Sequence, residues 1–223
     1  MQHKSVDVRT VSRNNFPFLI PYALFLLAGA ILIIANSKAE THLEFNRFHN
    51  HFFDIFFQYL TYFGDGYIAI ITVVVLLTVK FRYALLTALA SLISALITQT
   101  LKHTLFSEVV RPAKFFEGLH DLYLVPGMEN NFYNSFPSGH TTCAFALYFS
   151  IALIVENRGL KFFCFLFALA IGYSRIYLSQ HFFEDVYAGS LIGVITTLIV
   201  YLLLRNSQAP WMDHSLRVLK RAA

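Results

Sequence analysis

The chain has 223 residues, of which 57% are apolar and only 13% charged, with a formal net charge of +4 and a pI near 9.1. Ordinary soluble domains carry about 45–50% apolar and about 25% charged residues, so this chain holds too little charge to cover a water-facing surface. The positive balance is not a nucleic-acid footprint either, because the Lys and Arg residues sit at segment ends and in short loops rather than in one stripe.

In chain order, six apolar stretches predict membrane-crossing helices: Phe16–Ala35, 60–79, 83–101, 141–155, 160–178 and 186–204. Most approach the roughly 20 residues that cross a bilayer at about 1.5 Å per residue. The first is too long for a signal-peptide core and no A-x-A site follows it, so it reads as a retained helix. Residues 43–57 (LEFNRFHNHFFDIFF) mix charge with Phe and predict an amphipathic segment lying along the interface. Residues 102–140 form a long loop and 179–185 a short one. Cys143 and Cys164 lie inside apolar runs at no metal or redox spacing and read as buried filler. No internal repeat, linker or low-complexity tract interrupts the chain. The expected fold class is all-α: an integral membrane six-transmembrane-helix bundle forming a single domain over residues 1–223.

The basic residues orient this bundle. With the N-terminus inside, the inner segments hold Lys4, Arg9, Arg13, Lys80, Arg82, Arg158, Lys161, Arg205, Arg217, Lys220 and Arg221, eleven of the 17 Lys and Arg residues. The outer segments hold Lys38, Arg47, Lys102, Arg111, Lys114 and Arg175. That bias predicts both termini in the cytoplasm. Internal sorting signals are absent, so a bacterial inner membrane is expected, with the outer side being the periplasm.

The polar residues most costly in such a chain all fall on the outer side. Lys102 closes the third stretch and Arg111-Pro112 follows it; Phe136-Pro137-Ser138-Gly139-His140-Thr141 opens the fourth; Ser174-Arg175 ends the fifth; His181 and Asp185 lead into the sixth. Ionisable groups in such places are functional-site hypotheses by default. Their types suit phosphate ester chemistry, in which charge on the phosphoryl oxygens needs fixed cations and oriented N–H donors. Arg111 and Arg175 offer forked donors and Lys102 a point charge. Ser138 and Gly139, just before a helix, place backbone N–H groups and the positive end of the helix dipole at a ligand. Asp185 stands four residues after His181, so one helical turn would set the carboxylate against the imidazole, fixing its tautomer and freeing the other nitrogen to attack phosphorus. His140 would protonate the departing oxygen, and water would resolve the phosphohistidine with His140 as base.

These residues resemble the type 2 phosphatidic acid phosphatase (PAP2) superfamily, whose signature runs Lys-x6-Arg-Pro, Pro-Ser-Gly-His, and Ser-Arg-x5-His-x3-Asp. The second part matches at Pro137–His140 and the third in full from Ser174 to Asp185. The resemblance covers roughly residues 60–204, with the core motifs within 102–185. The first part departs: eight residues, not six, separate Lys102 from Arg111. Two extra residues rotate a helix by about 200°, so Lys102 faces the site only if the stretch between them loops out. The resemblance implies catalysis by His181, His140 and Asp185, substrate binding by Lys102, Arg111, Ser138, Gly139 and Arg175, no metal or other cofactor, and a phosphorylated lipid as partner. Related haloperoxidases hold vanadate in the same cradle.

The leading expectation is a membrane lipid phosphatase acting on a phosphate monoester or pyrophosphate: undecaprenyl pyrophosphate, phosphatidylglycerol phosphate, phosphatidic acid or a lipid A phosphate. Residues 117–134 carry carboxylates, amides and aromatics but no Lys or Arg, and are expected to set head-group choice around a single phosphate. The alternatives are a lipid phosphotransferase using the same intermediate, a haloperoxidase, and a phosphate-binding transporter or scaffold without chemistry. His42, His49, His51, His103 and His120 read as structural or interfacial, and Gly64-Asp65-Gly66 as a turn or helix-packing element. The sequence carries no interface motif that fixes an oligomeric state.

Overall fold

The apolar stretches fold as helices in the computed structural model, which describes residues 8–217. Ten α-helices follow one another among the described residues: α1 (Val8–Asn14), α2 (Phe16–Ala35), α3 (Lys38–Asn46), α4 (His51–Leu60), α5 (Gly66–Leu77), α6 (Phe81–Thr104), α7 (Pro112–Phe115), α8 (Gly139–Ile154), α9 (Arg158–Tyr177) and α10 (Phe183–Arg205). No strand occurs among them. Of these, α2, α6, α9 and α10 are long and apolar enough to cross a membrane, and α4 with α5 makes a fifth such unit if the bent pair is one span.

The helix α2 shows how the sequence specifies this arrangement. Pro17 sits in its first turn, where a missing N–H costs nothing. Ile20, Leu24, Leu27, Ile31 and Ile34 recur at helical spacing and are all exposed, while Phe18, Tyr22 and Gly29 on another face are buried. A stripe of large aliphatic side chains left uncovered by protein is a lipid-facing stripe. Phe18 inserts between Phe149 of α8 and Phe165 of α9, with ring centroids 4.7 and 5.8 Å away.

The centre of the bundle is α8, packed on α6, α9 and α10. It has only 16 residues, and 11 of them are buried. Lipid tails are as apolar as Leu, so helices in a membrane associate through close backbone approach more than through transfer from water. Gly189 and Gly193 of α10 supply that approach. A Cβ on Gly189 would come within 2.6 Å of the Ser138 carbonyl oxygen, and one on Gly193 within 2.6 Å of the Thr142 oxygen.

Two expectations change here. The stretch 60–79 is not one straight helix: α4 runs through a 3-10 turn (Thr61–Gly64) and breaks at Asp65, and α5 leaves at 53° to it. At the break Gly64 packs so closely on α8 and α9 that an added Cβ would lie 2.7 Å from Ile171 Cγ2 and 3.0 Å from the His140 carbonyl. The interfacial segment 43–57 is likewise two helices. Ser37 and Glu40 close a capping box at the start of α3, and the Asn50 side chain caps α4 by accepting from the Phe53 N–H.

The chain direction then gathers one pole. Both α6 and α9 end where α8 and α10 begin, so the loops 105–138 and 178–182 meet the Asp65 break at the same end of the bundle.

Candidate active site

A cavity of about 430 Å³ opens at that pole, lined among others by Asp65, Lys102, Arg111, Gly139, His140, Arg175 and His181. Seven residues from six separate segments therefore share one wall system.

The spacing between Arg175 and His181 has a local cause. After α9 the chain turns through Ser179, whose φ of 51° lies in the left-handed region. The N–H groups of Gln180 and His181 both donate to the Arg175 carbonyl, at 2.9 and 3.1 Å. One carbonyl thus pins the histidine six residues on to the end of the helix that carries the arginine. His42 Nε2 and Asn46 Nδ2 of α3 each lie 3.2 Å from Ser179 Oγ, bracing the turn from outside.

His181 is 1% exposed, and its Nδ1 lies 3.3 Å from Asp185 Oδ2. The contact is not made along a helical turn, because α10 begins only at Phe183. Asp185 instead folds back over the helix start: Oδ2 accepts the Phe182 N–H at 2.9 Å and the Ser135 hydroxyl at 2.5 Å. The Asp185 carbonyl also accepts the Ser138 N–H at 2.9 Å. One residue therefore joins the His181 segment to the Pro-Ser-Gly-His segment. Burial, then the charges of Arg111, Lys102 and Arg175, hold the His181 pKa well below the usual histidine value, keeping the ring neutral.

The cations are held by neutral oxygens rather than by carboxylates. Lys102 Nζ donates to Asn134 O at 3.0 Å. Arg111 donates from Nε to Tyr133 O at 3.0 Å and from Nη1 to Gln180 O at 3.2 Å. Arg175 Nη1 donates to Thr61 Oγ1 at 2.5 Å, and its buried Nε has no partner among the described residues. A buried guanidinium N–H left without an acceptor beside a cavity is matched to an anion there. Lys102 reaches the site because α6 stops at Thr104 and the next six residues run as an irregular stretch that opens with turns. The Phe106 N–H bonds back to Leu101 O, and the Ser135 N–H bonds to Val109 O. The two extra residues are absorbed in that irregular stretch and leave the register of α6 untouched.

His140 stands in the first turn of α8, with Nε2 2.8 Å from Asp65 Oδ1. Asp65 is the site residue that sequence reasoning passed over as part of a turn. Its signal was a lone carboxylate between two glycines at the outer end of an apolar run. Ser135, next to the Pro-Ser-Gly-His segment, and Gln180, inside the third motif, also belong to the network. Gln180 Nε2 donates to Glu129 O at 3.1 Å and to Asn130 Oδ1 at 3.0 Å, tying the 117–134 loop to the site. Gly139 lines the cavity, and the α8 N-terminus has no side-chain cap, which leaves its first N–H groups to a ligand. Ser138 is placed differently: it is fully buried beneath the wall, with its hydroxyl accepting from Thr141 Oγ1 and its N–H spent on Asp185. Cys143 lines the cavity, whereas Cys164 is buried elsewhere in the bundle. A second hollow of about 520 Å³ adjoins the first, sharing Gln99, Lys102, Arg111 and Asn131 and adding His103, Asn130 and Asn134.

Comparison with known proteins agrees with this geometry. The family model described as PAP2 superfamily matches residues 81–209. The undecaprenyl-diphosphatase BcrC of Bacillus subtilis is 36% identical over 84 residues, which cover 38% of this chain and 42% of that protein. The lipid A 4'-phosphatase of Bacteroides thetaiotaomicron is 33% identical over 85 residues, covering 38% of this chain and 37% of that protein. The aligned part thus spans less than half the length of these relatives. Among solved structures, Aquifex aeolicus LpxE superposes with a TM-score of 0.64 at 30% identity, covering 72% of this chain and 92% of that one. The first transmembrane PAP2 type phosphatidylglycerolphosphate phosphatase from Bacillus subtilis shares the fold, with a TM-score of 0.62 at 20% identity over 85% of this chain and 97% of that one. With its several membrane-length helices, the chain is a multi-pass membrane protein.

Proposed function

The chain belongs to the PAP2 superfamily, and from that premise we propose that it is a membrane phosphatase releasing phosphate from a lipid head group, with His181 as nucleophile. The observation that supports this reading is the convergence on one cavity of a buried, carboxylate-held His181, three cations and a second histidine. Phosphoryl transfer asks little covalent chemistry of a protein beyond position and charge, and these residues supply both.

In this reading Asp185 holds Nδ1 of His181, and Nε2 attacks phosphorus as the bond to the lipid oxygen breaks. Lys102, Arg111, Arg175 and the N–H groups opening α8 take the negative charge on the equatorial oxygens. His140 gives its proton to the leaving oxygen. Water then attacks the phosphohistidine, His140 takes the proton from that water, and free phosphate leaves with the His181 ring neutral again. Asp65, on Nε2 of His140, gives the imidazole a fixed hydrogen-bond partner through both proton transfers.

The 117–134 loop meets the second hollow through Asn130 and Asn131, next to Gln99 and His103. Amides beside a single three-cation cradle favour a head group presenting one phosphate, either a monoester or the terminal phosphate of a diphosphate. By the basic-residue bias this pole faces the periplasm of a bacterial inner membrane, with both termini in the cytoplasm. Phosphate release by the purified protein in detergent, over undecaprenyl diphosphate, lipid A, phosphatidylglycerol phosphate and phosphatidic acid, tests the proposal. Turnover of at least one of them, lost in His181→Asn, is the expected result; release unchanged in His181→Asn ends the mechanism.

A further inference from the structure

A cavity of about 600 Å³ lies not at the catalytic pole but at the opposite one. It forms where α6 and α9 begin and α8 and α10 end. The 16 residues of α8 place it about 24 Å from the catalytic cavity at roughly 1.5 Å per residue. Five cations line it, Lys80, Arg82, Arg158, Lys161 and Arg205, against one lining carboxylate, Glu156. Asp213 pairs with two of the five, lying 3.3 Å from Lys80 and 3.0 Å from Arg82. Among the described residues, Lys161, Arg158 and Arg205 have no carboxylate within ion-pair distance.

The topological preference for basic residues on one side of a membrane explains cations that snorkel into water. It does not explain Lys161, which is 5% exposed. Its ammonium donates to Asn15 Oδ1 and to Ala152 O, two neutral acceptors for three donors. A buried charge without a counter-charge is costly unless an anion completes it. Arg158 and Arg205 flank the same cavity, each stacked on an aromatic ring, Phe16 at 5.4 Å and Tyr201 at 5.6 Å, which holds their guanidinium groups in place. Beside Asn14, Asn15 and two tyrosines, the wall carries an aliphatic part: Leu86, Leu153, Ile154 and Leu204. Cations on one part of a wall and aliphatic side chains on another, at the end of a membrane bundle, are the complement of an amphiphile with an anionic head.

We propose that this second cavity is a binding site for an acidic phospholipid, its phosphate between Arg158, Lys161 and Arg205 and its glycerol and upper acyl carbons against Leu86, Leu153, Ile154 and Leu204. The site is independent of the catalytic reading, since none of these residues lines the catalytic cavity.

The test counts lipids retained by the purified full chain, using native mass spectrometry after exchange into mixed micelles of phosphatidylglycerol and phosphatidylcholine. The wild type should retain phosphatidylglycerol at least tenfold over phosphatidylcholine. The Arg158→Gln/Arg205→Gln double variant should lose at least fivefold of that preference while its phosphate release stays at the wild-type rate, which reports an intact fold. Glu156→Gln, which removes the one lining carboxylate, should raise the preference and serves if the double variant does not fold. An unchanged preference in both variants overturns the proposal. So does a preference lost in Arg111→Gln instead, which would put the lipid in the catalytic cavity. Displacement of the retained lipid by millimolar inorganic phosphate alone would assign the cations to a soluble anion and overturn it as well.

Discussion

Two histidine–aspartate pairs face one cavity, and they are built in opposite ways. His181 and Asp185 are neighbours in sequence, their side chains are 2% and 4% exposed, and the contact uses Nδ1 at 3.3 Å. His140 and Asp65 come from distant segments, their side chains are 33% and 27% exposed, and the contact uses Nε2 at 2.8 Å. Asp185 has two further donors, Ser135 and the Phe182 N–H, that hold it whether or not the histidine is charged. Asp65 stands at a break between helices, open to water. The buried pair suits a group that must not move while a bond forms to it. The open pair suits a group that must exchange protons with a leaving group and then with water.

The contrast can be broken by experiment, and the largest effect belongs to the buried histidine. His181→Asn should lower kcat by at least about 10³-fold and abolish any phosphorylated intermediate trapped by rapid acid quench, because no other group replaces a lost nucleophile. Asp185→Asn should cost about 10²- to 10⁴-fold by presenting the wrong donor to Nδ1; a loss below tenfold would mean that the carboxylate does not orient His181. For His140→Gln the expected loss is about 10²-fold on a lipid ester, shrinking toward tenfold on an aryl phosphate whose leaving group needs no proton. An equal loss on both substrates would remove His140 from the acid role. Asp65→Asn should be the mildest of the four, about tenfold, since a residue acting through His140 cannot matter more than His140 does.

A smaller and more diagnostic effect concerns pH. As the proposed nucleophile His181 must be neutral, and burial with three cations depresses its pKa. A base with a lowered pKa keeps its free form as pH falls, so the acid limb of kcat/KM should lie below about 6.5, the ordinary histidine value. Arg111→Gln removes one of the depressing charges and should move that limb upward, toward neutral pH. A limb that stays at the ordinary value in the wild type, or moves downward in the variant, would show that the titrating group is not His181.

How much of this could be read from the sequence divides along the same line. The His181–Asp185 pair, with Arg175 before it, was legible because its geometry is local: a helix end, a left-handed Ser179 and a helix start compress it into twelve residues from Ser174 to Asp185. The apolar stretch of α2 was legible to the residue, since lipid exposure and helix period leave one pattern. The Asp65–His140 pair was not, because nothing local distinguishes a carboxylate that will meet a histidine from one that merely ends a turn. The split of residues 43–57 into α3 and α4 was hidden for a related reason. Charged residues and Phe run through both halves, and the break is set by the Asn50 cap and by Tyr177, whose hydroxyl accepts the Asn50 N–H at 3.1 Å. Doubt over Lys102 came from extending helical arithmetic past Thr104, where the helix has ended.

The shortness of α8 has a mechanical consequence. Its 16 residues rise about 24 Å, against about 30 Å for the hydrocarbon layer of a typical bilayer. The two helices beside it that end at the catalytic pole, α6 and α9, have 24 and 20 residues and form a taller wall. Either the bilayer thins around the bundle or the floor of the catalytic cavity sits below the plane of the surrounding phosphates. For the proposed lipid substrate, that setting means entry sideways and down from its own leaflet, which makes membrane thickness a variable of turnover alongside substrate concentration.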